Sequence, residues 1–201
     1  MADYADCLAG FVEALDLHRP HVAGLSFGGT LALELYRRHP ALPRTLTLAS
    51  AYAGWAGSLP PGVVAERLES VTRDSRLTGE EFASRWLPTL LTDDAPAPLA
   101  RELASIIADF HPQGTRTMAR AMASADLREV LARIRVPTLL LYGDADVRSP
   151  LNMAEQLRDQ IRSSTFVILE GVGHQLNMEA ADEFNTCLRD FLQTNDRAPA
   201  V

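Results

Sequence analysis

The chain has 201 residues, 47% of them hydrophobic, and a formal charge of −7 from 26 acidic and 19 basic side chains. That length holds one domain with a sizeable core and room for an inserted subdomain, in the composition range of ordinary globular proteins. The arginines are scattered and the balance is acidic, so neither nucleic acid nor an anionic membrane surface is expected as a partner.

No run of about 18 apolar residues is present to span a bilayer, and the acidic start Met1-Ala2-Asp3-Tyr4 is unlike a secretory leader; a cytoplasmic setting is expected. Cys7 and Cys187 fall on helical faces without metal-ligand spacing, and both are expected as buried free thiols.

Tyr4, Leu8, Phe11, Val12 and Leu15 recur at helical spacing and predict an amphipathic helix over residues 4–17, with Asp3 as its cap. His18-Arg19-Pro20 breaks it. Val22 to Leu25 then reads as a short strand without polar alternation, as in parallel strands covered on both faces. The strand runs into Gly24-Leu25-Ser26-Phe27-Gly28, which fills the G-x-S-x-G pattern of a nucleophile elbow, with a glycine expected to be required on each side of the serine. Such a pattern arises by chance in roughly one chain in twenty of this length, so its context has to carry the reading. Standing alone, Ser26 would read as a helix-capping serine.

A helix follows, with its stripe at Leu31, Ala32, Leu35 and Tyr36 and with Gly28 and Gly29 expected to let its first turn approach the sheet, and His39-Pro40 ends it. Thr45 to Ala49 is a second strand, leading to the small-residue loop Ser50-Ala51-Tyr52-Ala53-Gly54, where Ser50 reads as a turn residue. Between Trp55 and Asp126 no strand-like run occurs, and prolines cut a helical stretch into short pieces. The region is expected to be an inserted helical cap (55–126) between two parts of one core (1–54 and 127–201). A lid over a site and plain packing of short helices explain its apolar spacing equally well.

Beyond the cap, a helix is expected over Asp126 to Ile134, then a buried-type strand from Pro137 to Tyr142 ending in Gly143-Asp144-Ala145-Asp146. Leu151, Ala154, Leu157 and Ile161 predict a helix with Pro150 in its first turn. Thr165 to Leu169 reads as the last strand, followed by Gly171-Val172-Gly173-His174, a helix lined by Phe184, Leu188, Phe191 and Leu192, and a frayed tail over Thr194 to Val201. Strands alternating with helices specify an α/β fold with a doubly wound, mostly parallel sheet, whose sites form beyond the carboxyl ends of the strands.

Three complementary residues fall at such ends: Ser26, His174, and Asp146 or Asp144. A serine hydroxyl is a weak nucleophile at neutral pH and needs a base such as histidine, which in turn needs a carboxylate to fix its tautomer and stabilise the imidazolium. Asp146 is favoured as the acid, with Asp144 as a turn-former. His18, His21, His39 and His111 stand at element boundaries or in the helical stretch and read as structural or solvated. No histidine and carboxylate cluster has metal spacing, and neither a metal nor an organic cofactor is expected.

On the elbow, the acid turn G-x-x-D-x-x-x-P (Gly143, Asp146, Pro150), the histidine loop G-x-G-H (Gly171 to His174) and the helical insertion, residues 4 to about 193 resemble the α/β-hydrolase family. The resemblance assigns these strands as the family's fifth to eighth. It implies acyl transfer by Ser26, Asp146 and His174, with the N–H of Phe27 as one oxyanion donor. The second donor would come from a loop upstream of Met1, together with the first four strands. Met1 is therefore expected to be an internal methionine of a longer hydrolase of roughly 270 residues. In this chain the first strand would be an apolar edge inviting self-association.

The expected function is hydrolysis of a small carboxylic ester or lactone. A perhydrolase, haloperoxidase or carbon–carbon hydrolase on the same triad, and a non-catalytic truncated remnant, are the alternatives. Dehalogenase and epoxide hydrolase chemistry is disfavoured, because those members of the family carry aspartate where this chain has Ser26.

Overall fold

The computed structural model describes residues 1–196. Its centre is a four-stranded sheet of β1 (His21–Leu25), β2 (Thr45–Ala49), β3 (Thr138–Gly143) and β4 (Ser164–Leu169), in the order β1-β2-β3-β4 with every neighbouring pair parallel. His21 pairs with Thr45, Leu46 with Thr138, and Thr138 with Ser164, so the four carboxyl ends finish at one rim. Apolar runs without polar alternation suit strands covered on both faces, and β2 and β3 are buried along their whole length. β1 pairs on one side only among the described residues, the edge position expected of it, and exposed Ala23 alone departs from cover on both faces.

Alternate residues divide the core between the two faces of the sheet, as the period of two requires. Leu46, Leu48, Leu140 and Tyr142 pack under α2 (Phe27–Arg38), the single turn α8 (Arg128–Leu131) and α9 (Leu151–Gln160). Leu139, Leu141 and Leu169 face the other way, towards Phe184, Cys187 and Phe191 of α11 (Ala181–Asp196). The first helix, α1 (Ala2–Ala14), lays Ala5 and Ala9 against Leu35 of α2, and Asp6 takes a bidentate hydrogen bond from Arg38 at 2.7 and 2.6 Å.

Between β2 and β3 lie α3 (Trp55–Ser58), α4 (Pro61–Asp74), α5 (Gly79–Trp86), a 3₁₀ turn (Leu87–Thr89), α6 (Ala97–Ala108) and α7 (Pro112–Ser124). Prolines stand at the first turns of α4, α6 and α7, where the missing N–H has no helical partner to lose. Thr78 and Glu81 form a reciprocal capping box on α5.

Several local expectations need correction. Met1, not Asp3, occupies the cap position of α1, without a side-chain bond; Asp3 sits in the first turn, where its charge favours the helix dipole. That helix stops at Ala14, and Asp16 follows with φ at 52°, which a right-handed helix cannot continue through. The helix expected over Asp126 to Ile134 is one turn, because Val130, Leu131 and Ile134 are buried by turns rather than by a long amphipathic face. Both cysteines are free, but neither is fully buried: Cys7 is exposed, since α1 buries only the side that carries Ala5, Ala9 and Val12, and Cys187 is half-buried.

Of the expected tail, Thr194 to Asp196 belong to α11 and residues 197–201 lie outside the described residues. Among the described residues no helix is long and apolar enough to cross a membrane.

Candidate active site

Ser26 joins β1 to α2 with φ at 54° and ψ at −111°, a conformation that costs a non-glycine residue roughly 1–3 kcal/mol. Neighbouring backbone holds it there: the Ser26 N–H donates to the Ala49 carbonyl at 2.8 Å, and the Thr30 N–H donates to the Ser26 carbonyl at 3.1 Å. Although Ser26 stands at the cap position, its hydroxyl makes no capping bond. A Cβ on Gly24 would lie 2.2 Å from the carbonyl carbon and oxygen of Gly28, so the first glycine of the motif is a steric necessity. The second is not. A Cβ on Gly28 would meet nothing within 4 Å, whereas one on Gly29 would strike the Ala51 side chain at 2.5 Å. Of the two glycines expected to let α2 approach the sheet, Gly28 and Gly29, the close approach therefore requires only Gly29.

His174 lies in the loop after β4, and its Nδ1 is 2.8 Å from Asp146 Oδ2 in the loop after β3; both residues are buried. An ionised carboxylate can only accept, so the ring donates from Nδ1 and leaves Nε2 with its lone pair free. The other oxygen, Oδ1, accepts the N–H groups of Arg148 and Ser149, both at 2.8 Å. Burial pushes the Asp146 pKa up, but the His174 hydrogen bond and charge and the Ser149 N–H outweigh it, and the carboxyl titrates below the ordinary range. Asp144 is exposed and accepts the Gly171 N–H at 2.6 Å, tying the acid turn to the histidine loop.

Ser26, Phe27 and His174 line one cavity of about 380 Å³, which is walled largely by apolar side chains of the inserted helices, Trp86, Phe110 and Met118 among them. No hydrogen bond joins Ser26 Oγ to His174 among the described residues; such contacts commonly tighten only around substrate. Phe27 is the first residue of α2, so its N–H has no intrahelical acceptor.

Ser50, read as a turn residue, is wholly buried at the end of β2 with φ at 46°, and its carbonyl accepts the Ser149 hydroxyl at 2.8 Å, bracing the acid turn. The other histidines stand apart: His18 beside Asp16, His21 between Thr45 and Asp196, His39 on Asp6, and His111 accepting the Gly114 N–H. Among the described residues no group of three or more His, Cys, Asp or Glu side chains could hold a metal ion.

Two features carry no sequence signal. Glu179 reaches back from α10 (Leu176–Glu179) to accept the N–H groups of Gly173 and Thr92, both at 2.8 Å, and the Thr92 hydroxyl, while the Gln175 N–H donates to the Leu90 carbonyl. The residues on either side of His174 are thus tied to the helical insertion, Gln175 directly and Gly173 through Glu179. Arg67 and Arg148 also face the cavity, with Tyr52 between them.

A strained serine at a strand-to-helix turn and a carboxylate-backed histidine, both beyond the carboxyl ends of a parallel sheet, define a hydrolase-like α/β scaffold. A profile of the alpha/beta hydrolase family matches residues 1–186, and the chain belongs to that family of enzymes. It is 29% identical over 197 residues to a pimeloyl-[acyl-carrier protein] methyl ester esterase of Neisseria meningitidis, covering 96% of this chain and 75% of that protein. A 3-oxoadipate enol-lactonase of Acinetobacter baylyi is 28% identical, covering 91% of this chain and 67% of its own length. Among solved structures, a thermophilic esterase from Thermogutta terrifontis superposes with a TM-score of 0.86 at 26% identity, over 95% of this chain and 71% of that one.

Proposed function

We propose that this chain is a serine hydrolase that cleaves a small carboxylic ester or lactone through an acyl-enzyme. The observation that carries the reading is the Ser26 backbone: a positive φ in a non-glycine residue, between strand and helix, with its hydroxyl uninvolved in capping and His174 on the same cavity wall. Strain of that kind persists only where the surroundings enforce it, and it gathers at reacting positions.

In this reading Nε2 of His174 takes the Ser26 proton as Oγ attacks the substrate carbonyl. Asp146 stabilises the imidazolium through Nδ1–H. The tetrahedral oxyanion is met by the Phe27 N–H at the positive end of α2. Collapse of the intermediate expels the alcohol, which receives its proton from His174 and leaves an acyl group on Ser26. Water, deprotonated by the same ring, then attacks that acyl carbonyl; the acid departs and Oγ recovers its proton. The relatives named as a methyl ester esterase and an enol-lactonase support esters and lactones as the substrate class.

Single-turnover mixing with p-nitrophenyl acetate tests the reading. A stoichiometric burst of p-nitrophenol should accompany a protein species heavier by one acetyl group, and both should vanish in Ser26→Ala. A burst that survives that substitution contradicts it.

A further inference from the structure

Two half-buried arginines in the wall of the site, Arg67 and Arg148, stand without an ion-pair partner among the described residues. Arg85 and Arg73 lie 3.3 and 3.5 Å from Asp74, and Arg37 is clasped by Glu34. Among the described residues no carboxylate oxygen lies within 4.0 Å of the guanidinium of Arg67 or Arg148. The Arg148 guanidinium lies over Trp86, its Cζ 4.5 Å from the ring centre, and donates once, to Thr89 Oγ1 at 3.0 Å. Arg67 donates to the Tyr52 hydroxyl at 3.0 Å and the Arg148 carbonyl at 3.2 Å, with Cζ 5.6 and 5.9 Å from the rings of Tyr52 and Trp55.

A guanidinium carries five N–H donors, so both forks keep most of theirs unused. Burial and the charge of Arg67 push the Arg148 pKa down, two positive groups sharing one wall. Both border the catalytic cavity and also a neighbouring cavity of about 420 Å³, whose far wall holds Asp74 neutralised by Arg85, so they stand at the junction between the two.

Resting on the ester-hydrolase reading, we propose that Arg67 and Arg148 form an anion subsite, and that the substrate is an ester or lactone whose remote end carries a carboxylate or phosphate. Two planar forks held by aromatic faces are pre-organised for a tetrahedral or planar oxyanion. An anion there offsets the cost of two partly buried cations that lack a direct ion-pair partner. The ester meanwhile lies in the apolar chamber between the subsite and Ser26. A neutral ester would leave both guanidinium groups unpaired, so the subsite discriminates by charge.

Trp55 and Trp86 are the chain's two tryptophans and both line the two cavities, so intrinsic fluorescence reports occupancy directly. In the Ser26→Ala protein, which binds without turnover, dimethyl suberate, monomethyl suberate and the methyl ester of 6-phosphonooxyhexanoic acid are titrated in parallel. One or both of the anionic esters should bind at least about tenfold more tightly than the neutral diester, and the better of the two identifies the anion. Arg67→Gln and Arg148→Gln should each bring that preference below about threefold, Arg67→Lys should keep part of it, and Arg133→Gln, at an exposed arginine that borders neither cavity, should leave it intact. Circular dichroism confirms that each variant is folded.

Equal affinity for charged and neutral esters, or a preference that survives both glutamine substitutions, overturns the proposal. Because no turnover is required, the subsite and the serine mechanism fail separately: intact anion preference with no acetyl burst in the wild type sinks only the latter.

Discussion

Nδ1 of His174 lies 2.8 Å from Oδ2 of Asp146, and the pair is almost wholly withdrawn from solvent, so the ring is locked in one tautomer. Replacing Asp146 with Asn keeps the shape but presents a neutral amide, which neither selects the Nδ1–H form nor stabilises the imidazolium. Asp146→Asn should lower kcat by about 10³- to 10⁴-fold with little change in KM, read from steady-state hydrolysis of a p-nitrophenyl ester. Asp144→Asn should stay within a few-fold of wild type.

The two glycines of the elbow should behave differently. Gly24→Ala forces a Cβ into the Gly28 carbonyl, and a loss of about 3 kcal/mol or more is expected in urea unfolding. Gly28→Ala adds a methyl group in open space within a helix and should be neutral or stabilise by up to about 1 kcal/mol. Equal destabilisation by both would show that the close approach is not where the structure puts it.

Glu179 couples the helical insertion to the histidine loop. Glu179→Ala leaves the N–H groups of Gly173 and Thr92 without their acceptor, and should cost about 1–3 kcal/mol and lower kcat/KM. Glu179→Gln keeps one acceptor and should recover part of both. Unfolding curves and steady-state kinetics on the same preparations check this.

The contact between α1 and α2 should depend on acid pH. Hydrogen bonds from Arg38 and then His39 hold Asp6 at a pKa of about 2, below the ordinary aspartate value. A depressed folded-state pKa means that its contribution is present above pH ~4 and fades as pH falls towards 2. Asp6→Asn should therefore lower Tm at pH 7, and the gap to wild type should narrow steadily between pH 4 and pH 2. A gap independent of pH would assign the effect to packing.

Much of this architecture is legible in the amino-acid order because its signals are local. Thr45 to Ala49 and Thr138 to Tyr142 are apolar runs bounded by turns, and each candidate site residue follows such a run within a few positions. What is not legible depends on contacts distant in sequence. Glu179 meets Thr92 across 87 positions, and Arg67 meets the Arg148 carbonyl across 81; no spacing rule joins them. Cys7 is misread for a related reason. Its helical position is plain from periodicity, but which side of α1 is covered depends on where α2 lies. At the elbow, the sequence marks Gly28 and Gly29 alike as letting the helix approach the sheet, and only the closeness of Ala51, far along the chain, shows that Gly29 is the one required.

The role of Ser26 is tested most directly by covalent trapping. A fluorophosphonate probe reacts with a serine hydroxyl activated by a neighbouring base, independently of the natural substrate. Incubated with the folded wild-type chain, it should add one phosphonyl group, mapped by peptide mass spectrometry to Ser26, and labelling should be abolished in Ser26→Ala and strongly slowed in Asp146→Asn. A folded wild-type chain that takes up no probe, or takes it up equally in Ser26→Ala, would contradict the account.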